Sequence, residues 1–239
     1  MFLNTKDIFM DCFNEINCST CSVKSPLFNV LTSSELELIN CNKRHVYFNK
    51  GEVIVKQGAP MSHVISFTSG IAKVYIESSG GRNLVLQFIK PTNFLGAPGI
   101  FADQIHYSTV AAIEHSSVCF IDLNIFKRVI KENSKFAESF MELISWNGIF
   151  NYNRFICLTH KNIHGRLADS LIYLHEKVFN DRDNKISISR KDLAELTGMS
   201  NDSVIRTLKE LHEDKVIEIE KGYIHVIDIN KLRKISMLG

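Results

Sequence analysis

The segment Ser189–Glu213 constrains this chain more than any other stretch. It reads Ser-Arg-Lys-Asp-Leu-Ala-Glu-Leu-Thr-Gly-Met-Ser-Asn-Asp-Ser-Val-Ile-Arg-Thr-Leu-Lys-Glu-Leu-His-Glu. Two short amphipathic helices are legible in it. Ser189 is placed as the N-cap of the first, with Asp192 three residues on and Leu193, Ala194 and Leu196 facing inward. Gly198 closes that helix, because glycine takes a left-handed conformation at little cost. Ser200 caps the second helix, whose Val204, Leu208 and Leu211 form the buried stripe.

Two short helices joined by a glycine turn make a helix-turn-helix, in which the second helix lies in the major groove of DNA. On its outward face Asn201, Asp202, Ser203 and Arg206 then point at base edges. Arg206 offers guanine two donors, Asn201 pairs with adenine, and Asp202 accepts from a cytosine amine or orients Arg206. Arg190, Lys191, Ser200 and Lys209 are placed for phosphates, where charge counts and base identity does not. The same pattern also fits an ordinary helical hairpin. Two strand-like runs behind it, Val216–Glu220 and Tyr223–Ile227 around Lys221-Gly222, favour a winged helix-turn-helix.

Bulk charge does not decide the matter. The formal net charge is +2, so a DNA-binding surface must come from local placement of basic residues. The hydrophobic content of 45% and charged content of 23% are ordinary for a soluble protein. No apolar run approaches the ~18 residues of a membrane span. Lys6, Asp7 and Asp11 interrupt Met1–Phe13, so a signal peptide is not expected and a cytoplasmic location, without membrane partners, is. In that compartment the six cysteines are expected mostly reduced.

Upstream the chain changes character twice. Seven short strands are expected at Arg44–Phe48, Glu52–Lys56, Val64–Thr68, Ala72–Glu77, Asn83–Ile89, Thr109–Ile113 and Val118–Asp122, with glycines between them, as in a barrel or sandwich. A short helix over Asn124–Lys131 and a long one from Ser134 toward Leu158 follow. Phe136, Phe140, Leu143, Ile144, Phe150, Phe155 and Leu158 recur along the long helix at three- and four-residue intervals. Such a stripe can pack against a twin helix in a dimer or against the preceding strands. A further helix runs through Leu167, Leu171, Leu174 and Val178.

This order of elements resembles the Crp/Fnr family of transcription regulators over roughly residues 25–235. In the front half the resemblance rests on FNKGEVIVKQGAP (48–60), SGIAKVYI (69–76) and FLGAPGIF (94–101). In the back half it rests on HGRLADSLIYL (164–174) and SRKDLAELTGMSNDSVIRTLKEL (189–211). It implies an α+β chain with a cyclic-nucleotide-binding-like β-roll (a double-stranded β-helix or jelly roll), a long dimerisation helix and a C-terminal winged helix-turn-helix. The corresponding divisions are a cysteine-containing segment at 1–24, the β-roll effector domain at 25–132, the dimerisation helix at 133–160 and the DNA-binding domain at 161–239. It also implies a homodimer on a palindromic operator with half-sites roughly 34 Å apart, RNA polymerase as a partner, and no catalytic activity. An effector in the β-roll would shift the dimer between two states through the long helix.

Two departures matter. Relatives that bind cyclic AMP carry a Glu in the glycine segment after the phenylalanine and an Arg-Ser pair downstream. Here those positions are Ala97 and Tyr107-Ser108. A buried phosphate without its cation is costly, so cyclic AMP is not expected to bind and the effector is unidentified. Gly96, Ala97, Tyr107 and Ser108 mark the expected effector pocket, with Arg82 on a neighbouring hairpin. In the recognition helix, Asn201-Asp202 replaces the Arg-Glu of many relatives, while Arg206 keeps the pattern.

Oxygen-sensing relatives hold a [4Fe-4S] cluster on three N-terminal cysteines and one in the β-roll. Cys12, Cys18, Cys21 and Cys119 are the matching candidates, although their C-x5-C-x2-C spacing reverses that of the sensors. Cys41 and Cys157 are expected as small buried hydrophobes. A metal- or redox-sensing β-roll is thus an alternative reading, and a cupin-like enzyme another. The latter lacks an H-x-H pair, since His63, His106 and His115 stand alone.

Overall fold

The computed structural model describes residues 17–96, 98–183 and 185–239. A single 3-10 turn, Pro26–Val30, leads into α1 (Ser33–Cys41). Thr32 and Glu35 close a reciprocal capping box at the start of α1. Neither element is among those expected from the sequence, although Leu27, Phe28, Leu31 and Ile39 join a buried core.

Eight strands follow: β1 (Lys43–Phe48), β2 (Val53–Val55), β3 (His63–Ser69), β4 (Ala72–Ile76), β5 (Leu84–Ile89), β6 (Phe94–Leu95), β7 (Thr109–Ala112) and β8 (Ser116–Asp122). They form two antiparallel sheets, ordered β1-β8-β3-β6 and β2-β7-β4-β5. The seven expected strands are all present, and the two-residue β6 is additional. Ile54, Ile65, Phe67, Val74, Val110 and Val118 fill the space between the sheets. Alternation then sends Lys73 and Tyr75 of β4 to the outer face.

A second core lies at one end of this β-roll. There α2 (Leu123–Glu132) and the start of α3 (Ser134–His160) bring Phe126, Phe136 and Phe140 onto Phe28 and Phe94. The Phe94 and Phe126 rings stack at 5.0 Å, and Phe126 meets Phe136 and Phe140 edge-on at 5.5 and 5.4 Å. Side-chain caps fix both helix starts: Asp122 accepts from the amides of Asn124 and Ile125, and Asn133 from that of Phe136.

The apolar residues of α3 divide between two faces. Phe136 and Phe140 are buried on the β-roll, whereas Met141, Ile149, Tyr152, Phe155 and Ile156 are exposed, Tyr152 at 68% and Phe155 at 64%. Phe155, expected in the same stripe as Phe136, therefore belongs to the outer face.

The rest of the chain is α4 (Ile163–Tyr173), continued by a π-helical turn to Val178, then α5 (Arg190–Thr197), α6 (Asn201–Glu213), β9 (Ile217–Glu220), β10 (Tyr223–Val226) and α7 (Ile229–Leu238). Helix α7 was not expected from the sequence. It packs on α4 and buries Leu232 and Ser236. The core of this region, including Leu167, Leu171, Leu196 and Leu208, is continuous with Ile71, Tyr75, Val85 and Phe88 on the outer face of the second sheet. Among the described residues no helix is long and apolar enough to cross a membrane.

Candidate nucleic-acid interface

Local capping chemistry builds the pair α5–α6. The Ser189 hydroxyl accepts from the Asp192 amide at 3.0 Å and starts α5. Gly198, at φ 64° and ψ 27°, ends it, and the Met199 amide returns to the Ala194 carbonyl. A Cβ at Gly198 would meet only Leu158 at 3.4 Å, so it is the left-handed backbone that calls for glycine there. The Ser200 hydroxyl then accepts from the Ser203 amide at 3.1 Å and starts α6.

Helix α6 buries Val204, Thr207, Leu208 and Leu211 and turns Asn201, Asp202, Arg206 and Lys209 to solvent. Among the described residues, the side chains of Asn201, Asp202 and Arg206 take part in no intramolecular hydrogen bond or ion pair. Asp202 thus does not hold Arg206 in the free protein. Lys209 lies 3.6 Å from Glu213, a loose exposed pair of little energetic weight. Ser203 is half-buried, and its hydroxyl accepts from that of Ser200 at 2.9 Å. These two hydroxyls therefore serve each other and the cap.

Behind α6 the β9–β10 hairpin pairs Tyr223 with Glu220. Its two-residue turn, Lys221-Gly222, has positive φ at both positions (49° and 89°), the geometry whose twist matches paired strands.

Two cations, half-buried Lys73 and buried Arg154, hold α5. Lys73 on β4 donates to Asp192 at 2.5 Å and Glu195 at 2.9 Å near the N-terminal end of α5. Burial works against the charge of Lys73, but these two carboxylates raise its pKa above the ordinary lysine value. Arg154 on α3 donates to the carbonyl of Leu196 at the C-terminal end of α5, where a cation suits the helix dipole. Further ties join the two halves. The Tyr173 hydroxyl both donates to and accepts from the Phe88 backbone on the edge strand β5, and Arg182 binds Glu114 through two 2.6 Å hydrogen bonds. Sequence reading missed Lys73 and Arg154, since nothing local marks a contact more than forty residues away.

Arg190, expected on phosphates, is half-buried at the start of α5, and its Nη1 is enclosed without a partner. Burial lowers its pKa. Lys191, the next residue, is exposed and free to reach outward.

The expected effector residues are not brought together in full. Gly96, Tyr107 and Ser108 line one cavity in the β-roll, with Met61, Leu95 and Val110, but its volume is about 40 Å³. Binding sites for small ligands span some 300–1,000 Å³. Tyr107 is exposed and donates to Asp103 at 2.7 Å. Arg82 is exposed on the β4–β5 turn and does not line the cavity. Ala97 lies outside the described residues.

Cys18 and Cys21 are half-buried at the entry to α1, and Cys119 is buried on β8. They are near enough to influence one another electrostatically; burial, the larger effect, pushes Cys119 up to about 11 and Cys18 above its usual value. Cys12 lies outside the described residues. Cys157 is buried as expected, but Cys41 is not: it sits exposed at the end of α1 and is disulfide-bonded. The end of α1 turns this side chain to solvent and away from the core, and the expectation of a reduced, buried thiol there is corrected. Among the described residues no three His, Cys, Asp or Glu side chains are placed to hold one metal ion.

Comparison with known proteins agrees with this geometry. Residues 45–133 match the cyclic nucleotide-binding domain and residues 165–235 the Crp-like helix-turn-helix domain. Electron transport regulator A of Shewanella oneidensis is 26% identical over 227 residues, covering 92% of this chain and 90% of the relative. The fumarate and nitrate reduction regulatory protein of Vibrio cholerae is 25% identical, covering 92% and 90%. The structure of FixK2 from Bradyrhizobium japonicum superposes with a TM-score of 0.72 at 18% identity, over 81% of this chain and 96% of that one. With a cyclic nucleotide-binding domain followed by a Crp-like helix-turn-helix domain, and regulators aligned over 92% of its length, the chain belongs to the Crp/Fnr family of transcription regulators.

Proposed function

We propose that this DNA-binding transcription regulator works as a cytoplasmic homodimer that reads a palindromic operator through paired α6 helices. The observation that carries the reading is the outward face of α6. Asn201, Asp202 and Arg206 stand there exposed and unpaired on a capped second helix, ready to exchange water for base edges. In this reading Arg206 takes a guanine, and Asn201, Asp202 and Ser203 contact neighbouring bases. Lys191, Lys209 and Ser200 serve phosphates; Arg190 joins them only once α5 parts from the β-roll. The exposed apolar face of α3, with Tyr152, Phe155 and Ile156, is covered by the same face of a second copy. RNA polymerase is the partner that a regulator of transcription must influence. No catalytic role is part of this reading.

The signal passes through the contacts that hold α5. Lys73 ties it to the β-roll and Arg154 to the dimer helix, so a change in either moves the recognition helix. The effector is not cyclic AMP in this reading, because the β-roll cavity is small and, among the described residues, no lysine or arginine lines it. A gel-shift titration on the chain's own upstream region, repeated at several salt concentrations, tests the function. Specific binding that is lost in Arg206→Ala supports it, and absence of binding under every condition sinks it.

A second reading adds an iron–sulfur cluster as the effector group. Cys18, Cys21 and Cys119 meet at one end of the β-roll, and four thiolates are the usual complement. The fourth thiolate would come from outside the described residues, and would have to be free of any disulfide to bind iron. Among the described residues no three such side chains are grouped to hold one metal ion, so this reading rests on a fourth ligand and on a cluster rather than a single ion. Bound there, it would supply oxygen- or redox-dependent charge and volume beside α1, and the thiols would first have to lose the protons that burial favours. A colourless, iron-free protein after anaerobic purification ends this reading.

A further inference from the structure

Ile205 is an apolar side chain set among polar ones on the outward face of α6. It is 52% exposed, one residue before Arg206 and one helical turn after Asn201. Among the described residues it joins none of the three apolar cores, and Val204, Leu208 and Leu211 already supply the helix's buried stripe. An isolated exposed isoleucine elsewhere on a surface would call for no explanation. Its position on the DNA-reading face gives it one. Base edges in the major groove present hydrogen-bonding groups at every pair and a single kind of apolar group, the 5-methyl of thymine. A β-branched side chain in a helix is held near one χ1 rotamer, so Ile205 presents its methyl groups without much further loss of entropy.

We propose that Ile205 is a specificity-determining residue that packs on the 5-methyl of a thymine neighbouring the base taken by Arg206. This rests on the DNA-reading function proposed above and names part of the sequence that α6 reads. Asn201, Asp202 and Arg206 supply polar readout, and Ile205 adds the apolar contact that separates thymine from cytosine at one position of each half-site.

The test begins with selection of bound sequences from a random duplex pool, using the full-length protein prepared both with and without air. Each thymine of the selected site is then replaced by deoxyuridine, which removes the methyl and keeps the base pairing. One symmetry-related thymine is expected to respond, its replacement in a single half-site weakening binding about fourfold, the value of one buried methyl group. In Ile205→Ala the thymine and uridine duplexes should bind alike, while Arg206→Ala should retain the methyl effect in whatever binding survives. The inference is overturned if no uridine replacement weakens the wild-type complex, or if the loss persists in Ile205→Ala. Selection of no sequence from either preparation overturns the DNA-reading function itself and the thymine contact with it. Because Ile205 supports no core, its replacement should leave the thermal transition in place, which circular dichroism checks.

Discussion

The cavity of the β-roll and the outward face of α6 are built in opposite ways. The cavity is closed around Met61, Leu95 and Val110, and its glycines are wedged against neighbouring chain. On the face of α6, Asn201, Asp202 and Arg206 project into solvent with no structural duty. The first region is committed to holding the fold together, while the second is held ready by helix caps and a buried stripe that lie behind it. A family whose members differ in effector but share a DNA-reading head is served by this division. In the proposed reading Arg206 stands ready on the output surface, while the described lining of the β-roll cavity holds no lysine or arginine and its volume is about 40 Å³.

If the two regions differ in this way, single substitutions to alanine must have unequal effects in them. Gly99 is the sharpest probe of the cavity wall, since a Cβ there would come within 2.1 Å of the Ile105 carbonyl oxygen. Backbone cannot yield as a side-chain tip does. Gly99→Ala is therefore expected to lower stability by about 3 kcal/mol, at the upper end of overpacking penalties. Asn201→Ala, on the free face of α6, should remain within about 0.5 kcal/mol of the parent. Urea unfolding followed by circular dichroism measures both, and equal losses would remove the distinction.

Arg206→Ala should reverse the pattern, leaving urea stability unchanged and weakening specific DNA binding. A bidentate arginine–guanine pair is worth about 1–3 kcal/mol of discrimination, or about thirtyfold in affinity at the middle of that range. Fluorescence anisotropy against a selected site and a scrambled one gives the ratio. A uniform loss on both duplexes would reassign Arg206 to a phosphate.

How much of this was legible beforehand depended on the range of the forces involved. Ser189, Gly198 and Ser200 act within four residues of themselves, and the sequence alone placed both helix starts and the turn correctly. The strands of the β-roll were equally plain, because alternation and glycine turns are local. Contacts across the chain were not. Lys73 meets Asp192 and Glu195 from more than a hundred residues away, and no spacing rule could pair them. Phe155 was grouped with Phe136 because both fit a three- and four-residue stripe, yet a helix of 27 residues drifts enough to carry them to different faces. The polar residues outline the open face of α6 in the sequence, whereas Ile205 is hidden there because an apolar residue suggests a core.

Lys209 provides a finer measurement on the same helix. Its partner Glu213 is loose and exposed, so the lysine can leave it for a phosphate at small cost. Each neutralised phosphate adds about 0.9 to the slope of log affinity against log salt. Lys209→Ala is expected to lower that slope by about 1 and to weaken all duplexes alike. A change in sequence preference without a change in slope would place Lys209 on a base.

The smallest expected effect is that of cyclic AMP. A ligand that binds the native state raises stability by RT ln(1 + [L]/Kd), about 2.7 kcal/mol at a hundredfold excess over Kd. For a chain of this length that amounts to a rise of several degrees in Tm. The β-roll cavity has a volume of about 40 Å³, and its lining carries no lysine or arginine to meet a phosphate. Arg82 lies away from it on an exposed turn. Millimolar cyclic AMP should consequently leave both Tm and the anisotropy titration unchanged. A shift of several degrees that disappears in a variant with a filled cavity, such as Ser108→Leu, would mean that the pocket opens on demand. The contrast between a shut input site and an open output face would then hold only for the empty protein. A shift that survives Ser108→Leu would instead direct attention to a binding place outside the β-roll cavity, and the lost charges at Ala97 and Tyr107 would no longer bear on effector choice.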